Sequence, residues 1–256
     1  MSLRRRSIAR RGHNSGMSSV SPPTPALLLL PTGGAAPQLL FLLFHGVGGN
    51  AQQMRPLAEA LHGQYPQSAV LSFDAPEPFD GVPGGGSGYQ WFSLREIDEA
   101  SRPARVAAAL PGFVALVRGV AAQYGLGWEH VALGGFSQGA IMALEAVQAE
   151  PQLAGRVLAF GGRHARLPEE APEAVSVHLL HGMADAVMPY QQAVASAQAL
   201  LQLGGDVTAD VLPGIGHELH PQLIAKALEQ LRTFVPARLW REAVLAAAEQ
   251  DRQQPS

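Results

Sequence analysis

Ser137 stands in Gly135-Phe136-Ser137-Gln138-Gly139, a Gly-x-Ser-x-Gly string. A serine in that setting is a nucleophile candidate when a strand runs into it and a helix runs out. The sharp turn lifts the hydroxyl clear of the sheet and needs neighbours without a β-carbon. A serine hydroxyl alone is hardly ionised at neutral pH, so it needs a base within hydrogen-bond reach and an acid to orient that base. Two later positions have the required types and the order acid then histidine: Asp185 in His181-Gly182-Met183-Ala184-Asp185 and His217 in Gly214-Ile215-Gly216-His217-Glu218. The chemistry is acyl transfer, with Ser137 attacking a carbonyl, His217 taking its proton and Asp185 holding the imidazole tautomer. The rivals fit less well. Asp74, Asp80 and Asp98 precede the serine, and Asp206 and Asp210 fall on or beside an expected strand. His45 and His181 read as loop-holding residues and His220 as the start of the last long helix. His217 and His220 are spaced i, i+3 in a loop, not the i, i+4 that two ligands on one helical face need, so no metal site is expected.

The elements that must position these groups are legible in the pattern of apolar residues. Residues 129–133 read as a strand into the serine turn, and Ile141, Leu144 and Val147 recur at helical spacing after it, up to Pro151. Apolar runs at 26–30 and 38–44, separated by Thr32-Gly33-Gly34, read as an antiparallel hairpin opening the sheet. The second run is apolar on both faces, as a central strand is, and ends in His45-Gly46-Val47-Gly48-Gly49. No Gly-Lys-Ser/Thr follows, so a phosphate loop is not indicated. In a serine hydrolase the same loop offers a second backbone N–H to an oxyanion, from Val47, beside the N–H of Gln138. Helices at 52–62, 102–123, 190–203 and 221–234 alternate with strands at 69–73, 156–160, 175–180 and 206–212. This is the α/β pattern of a mostly parallel sheet with helices on both faces. Functional groups then belong at the carboxyl ends of its strands. The irregular stretch 74–94 carries Phe79, Tyr89, Trp91 and Phe92 among glycines. It reads as a functional loop in which Trp91 walls the acyl site, with Val187, beside Asp185, as a second substrate contact.

Composition bounds the partners. The chain has 256 residues, 47% of them hydrophobic, and no cysteine, which removes disulfides and thiolate chemistry. Five of the 18 Lys and Arg fall in the first sixteen residues and no acid precedes Glu59, leaving 13 basic against 21 acidic residues in the body, near −8. An acidic body argues against nucleic acid or an anionic membrane surface as partner. Residues 1–25 are rich in Arg, Ser, Gly and Pro without periodicity and read as a disordered arm. Translation starting at Met17 and a targeting segment are both open readings of that arm, and cytoplasmic localisation is the expectation. No run is expected to cross a membrane. Residues 26–235 read as one domain. Residues 236–256 read as a terminal amphipathic helix and tail, with Leu239, Trp240, Val244 and Leu245 packing on the body or on a partner subunit in a homodimer.

Taken together, Leu43-Phe44-His45-Gly46-Val47-Gly48, Gln90-Trp91-Phe92-Ser93, Gly134-Gly135-Phe136-Ser137-Gln138-Gly139, His181-Gly182 with Asp185 and Pro189, and Gly216-His217-Glu218 resemble the phospholipase/carboxylesterase family. The resemblance spans residues 39–234, and Gln-Trp-Phe-Ser looks more like its bacterial carboxylesterases than its eukaryotic acyl-protein thioesterases. It implies an α/β-hydrolase without a large lid domain and a hydrolysis of carboxylic esters or thioesters that uses no metal and no cofactor. The arginine-rich arm and the terminal helix depart from the family pattern. A catalytically silent relative that only binds ligands is the reading from another class.

Overall fold

The computed structural model describes residues 24–81 and 87–253, so the arm expected at 1–25 lies almost wholly outside the described residues. The strands are β1 (Leu27–Leu29), β2 (Leu39–Phe44), β3 (Ser68–Phe73), β4 (Glu77–Pro78), β5 (Tyr89–Gln90), β6 (Val131–Phe136), β7 (Arg156–Phe160), β8 (Ser176–Gly182) and β9 (Asp206–Leu212). The helices are α1 (Arg55–Gln64), α2 (Arg102–Tyr124), α3 (Gln138–Ala149), α4 (Tyr190–Gln202), α5 (Pro221–Thr233) and α6 (Ala237–Gln253). Seven strands form one sheet in the order β1-β3-β2-β6-β7-β8-β9, parallel except for β1, and β4 with β5 form a small ribbon.

The period of two along each central strand sends alternate residues to two cores. Leu40, Leu42 and Phe44 of β2 join Leu71, Phe113, Val117, Leu133 and Leu144 on the face covered by α2, α3 and α4. Phe41 and Leu43 join Leu57, Leu61, Leu158, Leu223 and Ile224 on the face covered by α1 and α5. Helix α5 opens where His220 caps it, its Nδ1 accepting from the Gln222 amide. Helix α2 ends at Gly125, in the left-handed conformation at φ 65°.

Three expectations need correction. Residues 26–30 and 38–44 do not pair as a hairpin: β1 runs antiparallel to β3, and β2 sits between β3 and β6. The turn at Thr32–Gly34 reverses the chain, but the strand that β1 joins is decided by which edge is unpaired, and that edge is β3. The strand into the serine begins at Val131, after a 3-10 turn at Trp128–His130, and runs on to Phe136. Helix α2 is, by length and composition, apolar enough to cross a membrane, against the expectation that no segment would be. Its Val106, Phe113, Val114, Val117 and Val120 are buried in the core, where it covers the sheet.

Helix α6 docks at its first turn, where the Ala237 amide and the Arg238 guanidinium both donate to the carboxylate of Asp206. Leu239, Trp240, Val244 and Leu245 are all exposed, so packing of these four on the body, one of the two expected arrangements, is not formed. Deleting residues 237–256 should therefore cost little more than one partly buried ion pair, about 1 kcal/mol or a Tm drop of about 2–4 °C. A drop beyond about 10 °C would make α6 part of the core.

Among the described residues four histidines are buried: His45, His164, His178 and His181. Burial pulls His164 down to about 4, and burial with the nearby Arg156 pulls His178 down to about 3. An unfolded histidine takes up a proton near pH 6.5, so between that value and the folded ones the unfolded chain binds more protons and stability falls as pH falls. Each site contributes about 1.4 kcal/mol per pH unit over this window. Urea unfolding at pH 5 should thus give a stability lower than at pH 7.5 by on the order of 4 kcal/mol from these two residues. His164→Gln should take about 1.4 kcal/mol per pH unit off the slope over that window. A flat profile from pH 7.5 to 5 would contradict the assignment.

Candidate active site

Ser137 occupies the turn between β6 and α3 with φ 52° and ψ −112°, a strained conformation for a residue with a side chain. Its surroundings hold it there. The Ser137 amide donates to the Phe160 carbonyl at the end of β7 (2.9 Å). A β-carbon at Gly139 would overlap the backbone of Phe44, and one at Gly135 would overlap Gly139 and Ala140. The two glycines of the string therefore let α3 close against the end of β2 while the serine between them is turned outward.

The other two groups arrive from the neighbouring strands. Asp185 follows β8 and His217 follows β9, each just past a carboxyl end. Ser137 Oγ donates to His217 Nε2 at 2.9 Å, and His217 Nδ1 donates to Asp185 Oδ2 at 2.7 Å. The imidazole is backed by the Phe136 ring, with centroids 4.9 Å apart, and by Gly161. The Asp185 side chain is 1% exposed. Burial pushes its carboxyl up, but the amides of Met188 (2.8 Å) and Val187 (2.9 Å) on Oδ1, with His217 on Oδ2, outweigh it and hold the acid below the ordinary range. It is a carboxylate with its lone pairs engaged, able to stabilise an imidazolium without taking its proton.

His181 does more than hold a loop. It is fully buried, and its Nε2–H lies 2.8 Å from the Met188 carbonyl and 3.2 Å from Asp185 Oδ2. Its Nδ1 has no partner among the described residues, and burial keeps the ring below its ordinary pKa, which fits a neutral imidazole protonated on Nε2. Asp185 Oδ2 is thus approached by two imidazoles, one in the relay and one behind it. The string His181-Gly182-x-x-Asp185 carries this i, i+4 pair, but sequence alone does not say that the two side chains face each other.

The loop after β2 lies against the serine turn: a β-carbon at Gly46 would stand 3.0 Å from Phe136 Cδ1 and 3.3 Å from Ser137 Cβ. His45 pins it, donating from Nδ1 to the Gly46 carbonyl and accepting the Ala75 amide at Nε2. The Gly48 amide donates to the Tyr89 carbonyl and the Tyr89 amide to the Gly49 carbonyl. Val47 sits at the tip, its amide unbonded among the described residues. Gln138 is the first residue of α3, so its amide has no acceptor within the helix. Its side chain clamps the segment after β5, Oε1 accepting from the Trp91 amide (2.7 Å) and Nε2 donating to the Phe92 carbonyl (2.6 Å).

Trp91 lies deeper than the loop that carries it. It is 4% exposed, packs edge-on against Phe44 and Phe113, and donates its indole N–H to the His45 carbonyl at 3.0 Å. Its ring belongs to the core and its N–H braces the loop that carries Val47, so it is not an open wall. Val187 is 71% exposed beside the acid and Met183 is 47% exposed, both just past the end of β8. A further tie was not foreseen: Arg163, after β7, donates to both carboxylate oxygens of Glu99 (2.7 and 2.6 Å), joining that loop to the segment before α2.

The family model described as Phospholipase/Carboxylesterase matches residues 31–235. The chain is 44% identical over 207 residues to "Esterase YpfH" of Escherichia coli (strain K12), an alignment covering 81% of this chain and 88% of that one. It is 30% identical over 118 residues to "Acyl-protein thioesterase 1" of Gibberella zeae, covering 43% and 50%. Among solved structures, esterase PE8 superposes with a TM-score of 0.73 at 28% identity, covering 82% of this chain and 98% of that one.

If His181 holds Asp185, then His181→Leu, which removes the donor, should lower kcat on a p-nitrophenyl ester by roughly tenfold to a hundredfold. That is the worth of a hydrogen bond to a charged group, about 1.5–3 kcal/mol. His181→Gln, whose amide nitrogen reaches the Nε2 position, should recover most of it. Equal kcat in the two variants, with only Tm changed, would assign His181 to stability alone.

Proposed function

Because this chain belongs to the phospholipase/carboxylesterase family of α/β-hydrolases, we propose that its Ser137-His217-Asp185 triad hydrolyses esters of short to medium acyl chains, with thioesters of the same acyl groups as further substrates. The single observation that carries the reading is the continuous relay of 2.9 and 2.7 Å from the serine hydroxyl through the imidazole to a buried carboxylate. Ser137 Oγ attacks the acyl carbonyl carbon as its proton passes to His217 Nε2. The imidazolium is stabilised by Asp185, and the alcohol or thiol leaves with the proton from Nε2. Water, deprotonated by the same nitrogen, then attacks the acyl-enzyme, and the acid departs as Ser137 regains its proton. The developing oxyanion is assigned to the amides of Val47 and Gln138. In support of that assignment, the two lie on adjoining turns against Ser137 with no acceptor of their own.

The preference for shorter chains is supported by the rim. Val187 and Met183 are exposed at the carboxyl edge, and the connections from β8 to α4 and from β9 to α5 are short. An acyl group there gains contact from a few side chains rather than from a long enclosed tunnel. Each methylene buried is worth about 0.8 kcal/mol, so an open rim stops rewarding length after a few carbons. The thioester reading is favoured by the thioesterase among the relatives.

The test is a series of p-nitrophenyl esters and matched thioesters from acetyl to palmitoyl. Activity should peak among the short and medium acyl groups, and Ser137→Ala should lose about 10⁴- to 10⁶-fold in kcat with the fold intact. A peak at palmitoyl would overturn the chain-length reading, and a Ser137→Ala enzyme retaining roughly a tenth of wild-type turnover would overturn the nucleophile.

A further inference from the structure

At the end of the sheet opposite the triad, a cavity of about 150 Å³ opens between the amino ends of β2, β6 and β7 and the last turns of α1 and α5. Its lining is mostly apolar, Leu39, Phe41 and Leu231 among it, but it includes Arg156 and Tyr65. Arg156 opens β7 and is part-buried. The one side-chain hydrogen bond it makes among the described residues goes from Nη1 to His178 Nε2 at 3.3 Å, and no carboxylate among them lies within ion-pair distance of it. His178 cannot serve as its counter-charge. It is a neutral imidazole whose Nδ1–H donates to Thr208 Oγ1 at 2.9 Å, with its ring edge-on to Phe234.

The nearby acids are otherwise engaged. Asp206 is taken by Arg238 and the Ala237 amide. Glu129 lines the cavity, but its carboxylate turns back over Gly127. Tyr65 packs against Phe41, and its hydroxyl bonds to no protein atom among the described residues. Arg232 and Arg238 add positive potential at Tyr65 and Arg156 respectively. In a body near −8 these arginines form a local reversal of charge, with one guanidinium left part-buried beside a space. A part-buried cation without an anion is a costly arrangement, which an incoming anion relieves.

We propose that this cavity binds a compact oxyanion, received by the Arg156 guanidinium and the Tyr65 hydroxyl. The size selects the class. At about 150 Å³ the space lies well below the roughly 300 Å³ where sites for drug-sized ligands begin. Inorganic phosphate or a short carboxylate fits; a nucleotide or a fatty acid does not. Burial, the largest influence on Tyr65, holds its hydroxyl above its ordinary pKa, so at neutral pH it is a donor. Occupancy would link the ends of α1 and α5 to β7, so the ligand is read through stability as well as binding.

The experiment is calorimetric titration and thermal unfolding of the full chain with sodium phosphate and, separately, sodium acetate and butyrate, at constant ionic strength against sodium chloride. Saturable binding of one anion per chain is expected in one of the two arms, and the arm that saturates names the source. At a hundredfold excess over Kd the Tm should rise on the order of 5 °C. Arg156→Gln should weaken binding at least about tenfold and Tyr65→Phe by less, with ester turnover unchanged in both. Should Arg156→Gln fail to fold, Arg156→Lys and Tyr65→Phe carry the test, each expected to weaken binding. No saturable binding in either arm, or equal affinity in wild type and variants, would overturn the proposal. Since binding is measured apart from turnover, the outcome is independent of whether the ester reading stands.

Discussion

One close backbone approach sets the rest of the site: helix α3 meets the end of β2 at Gly139, where the backbone of Phe44 leaves no room for a β-carbon. That contact lets the chain turn from strand to helix within one residue, and the residue so turned is Ser137. The loop that follows β2 lies against the same turn, at Gly46. The serine and the loop beside it thus share one tightly packed corner, made possible by residues with no side chain.

Support for the loop comes from behind. Trp91, Gln138 and His45 form a chain of hydrogen bonds in which each polar group meets a backbone group: the indole N–H on the His45 carbonyl, the amide of Gln138 on both sides of Trp91, and the His45 ring on Gly46 and Ala75. A loop containing Gly46, Gly48 and Gly49 has little local preference for one conformation. Its order is supplied by buried side chains from the first turn of α3 and from the residues just after β5 and β2.

This explains what the sequence disclosed and what it withheld. The serine string, Asp185 and His217 are legible because each is tied to local signals: an apolar strand before it, glycines about it, and the order fixed by a parallel sheet. The alternation of strands and helices was readable for the same reason, since periods of 2 and 3.6 residues are local properties. Pairing is not local. The turn after β1 predicts a reversal but not that β1 will close the free edge of β3. Trp91 illustrates the same gap. An aromatic residue among glycines has equal need of a core or a substrate, and nothing near it in the chain announces that its N–H will meet the carbonyl of His45, forty-six residues away. The side chain of Gln138 lies at an unspecified position of the string, and nothing nearby marks its clamp on the segment after β5. The apolar composition of α2, which satisfies a membrane criterion, has its meaning set by the face it presents to the sheet.

The histidines show how one residue type is divided between structure and chemistry. His45, His178 and His181 each have a ring nitrogen whose partner fixes the tautomer: an accepting carbonyl for His45 and His181, and for His178 the Arg156 guanidinium, which can only donate to Nε2. Protonating His45 or His178 would place a proton against a donor already in place, the Ala75 amide or the Arg156 guanidinium. Protonating His181 would add charge at an unpartnered buried nitrogen. They serve as neutral pins. His217 differs in what its nitrogens face. Nδ1 is held by a carboxylate, and Nε2 faces a hydroxyl that can give up its proton. When that proton arrives at Nε2, neither nitrogen loses a partner, because the serine oxygen becomes part of the acylated intermediate and the carboxylate gains attraction to the new charge. The geometry therefore leaves both nitrogens of His217 partnered through the transfer, and the proton taken from Ser137 stays where the leaving group can collect it.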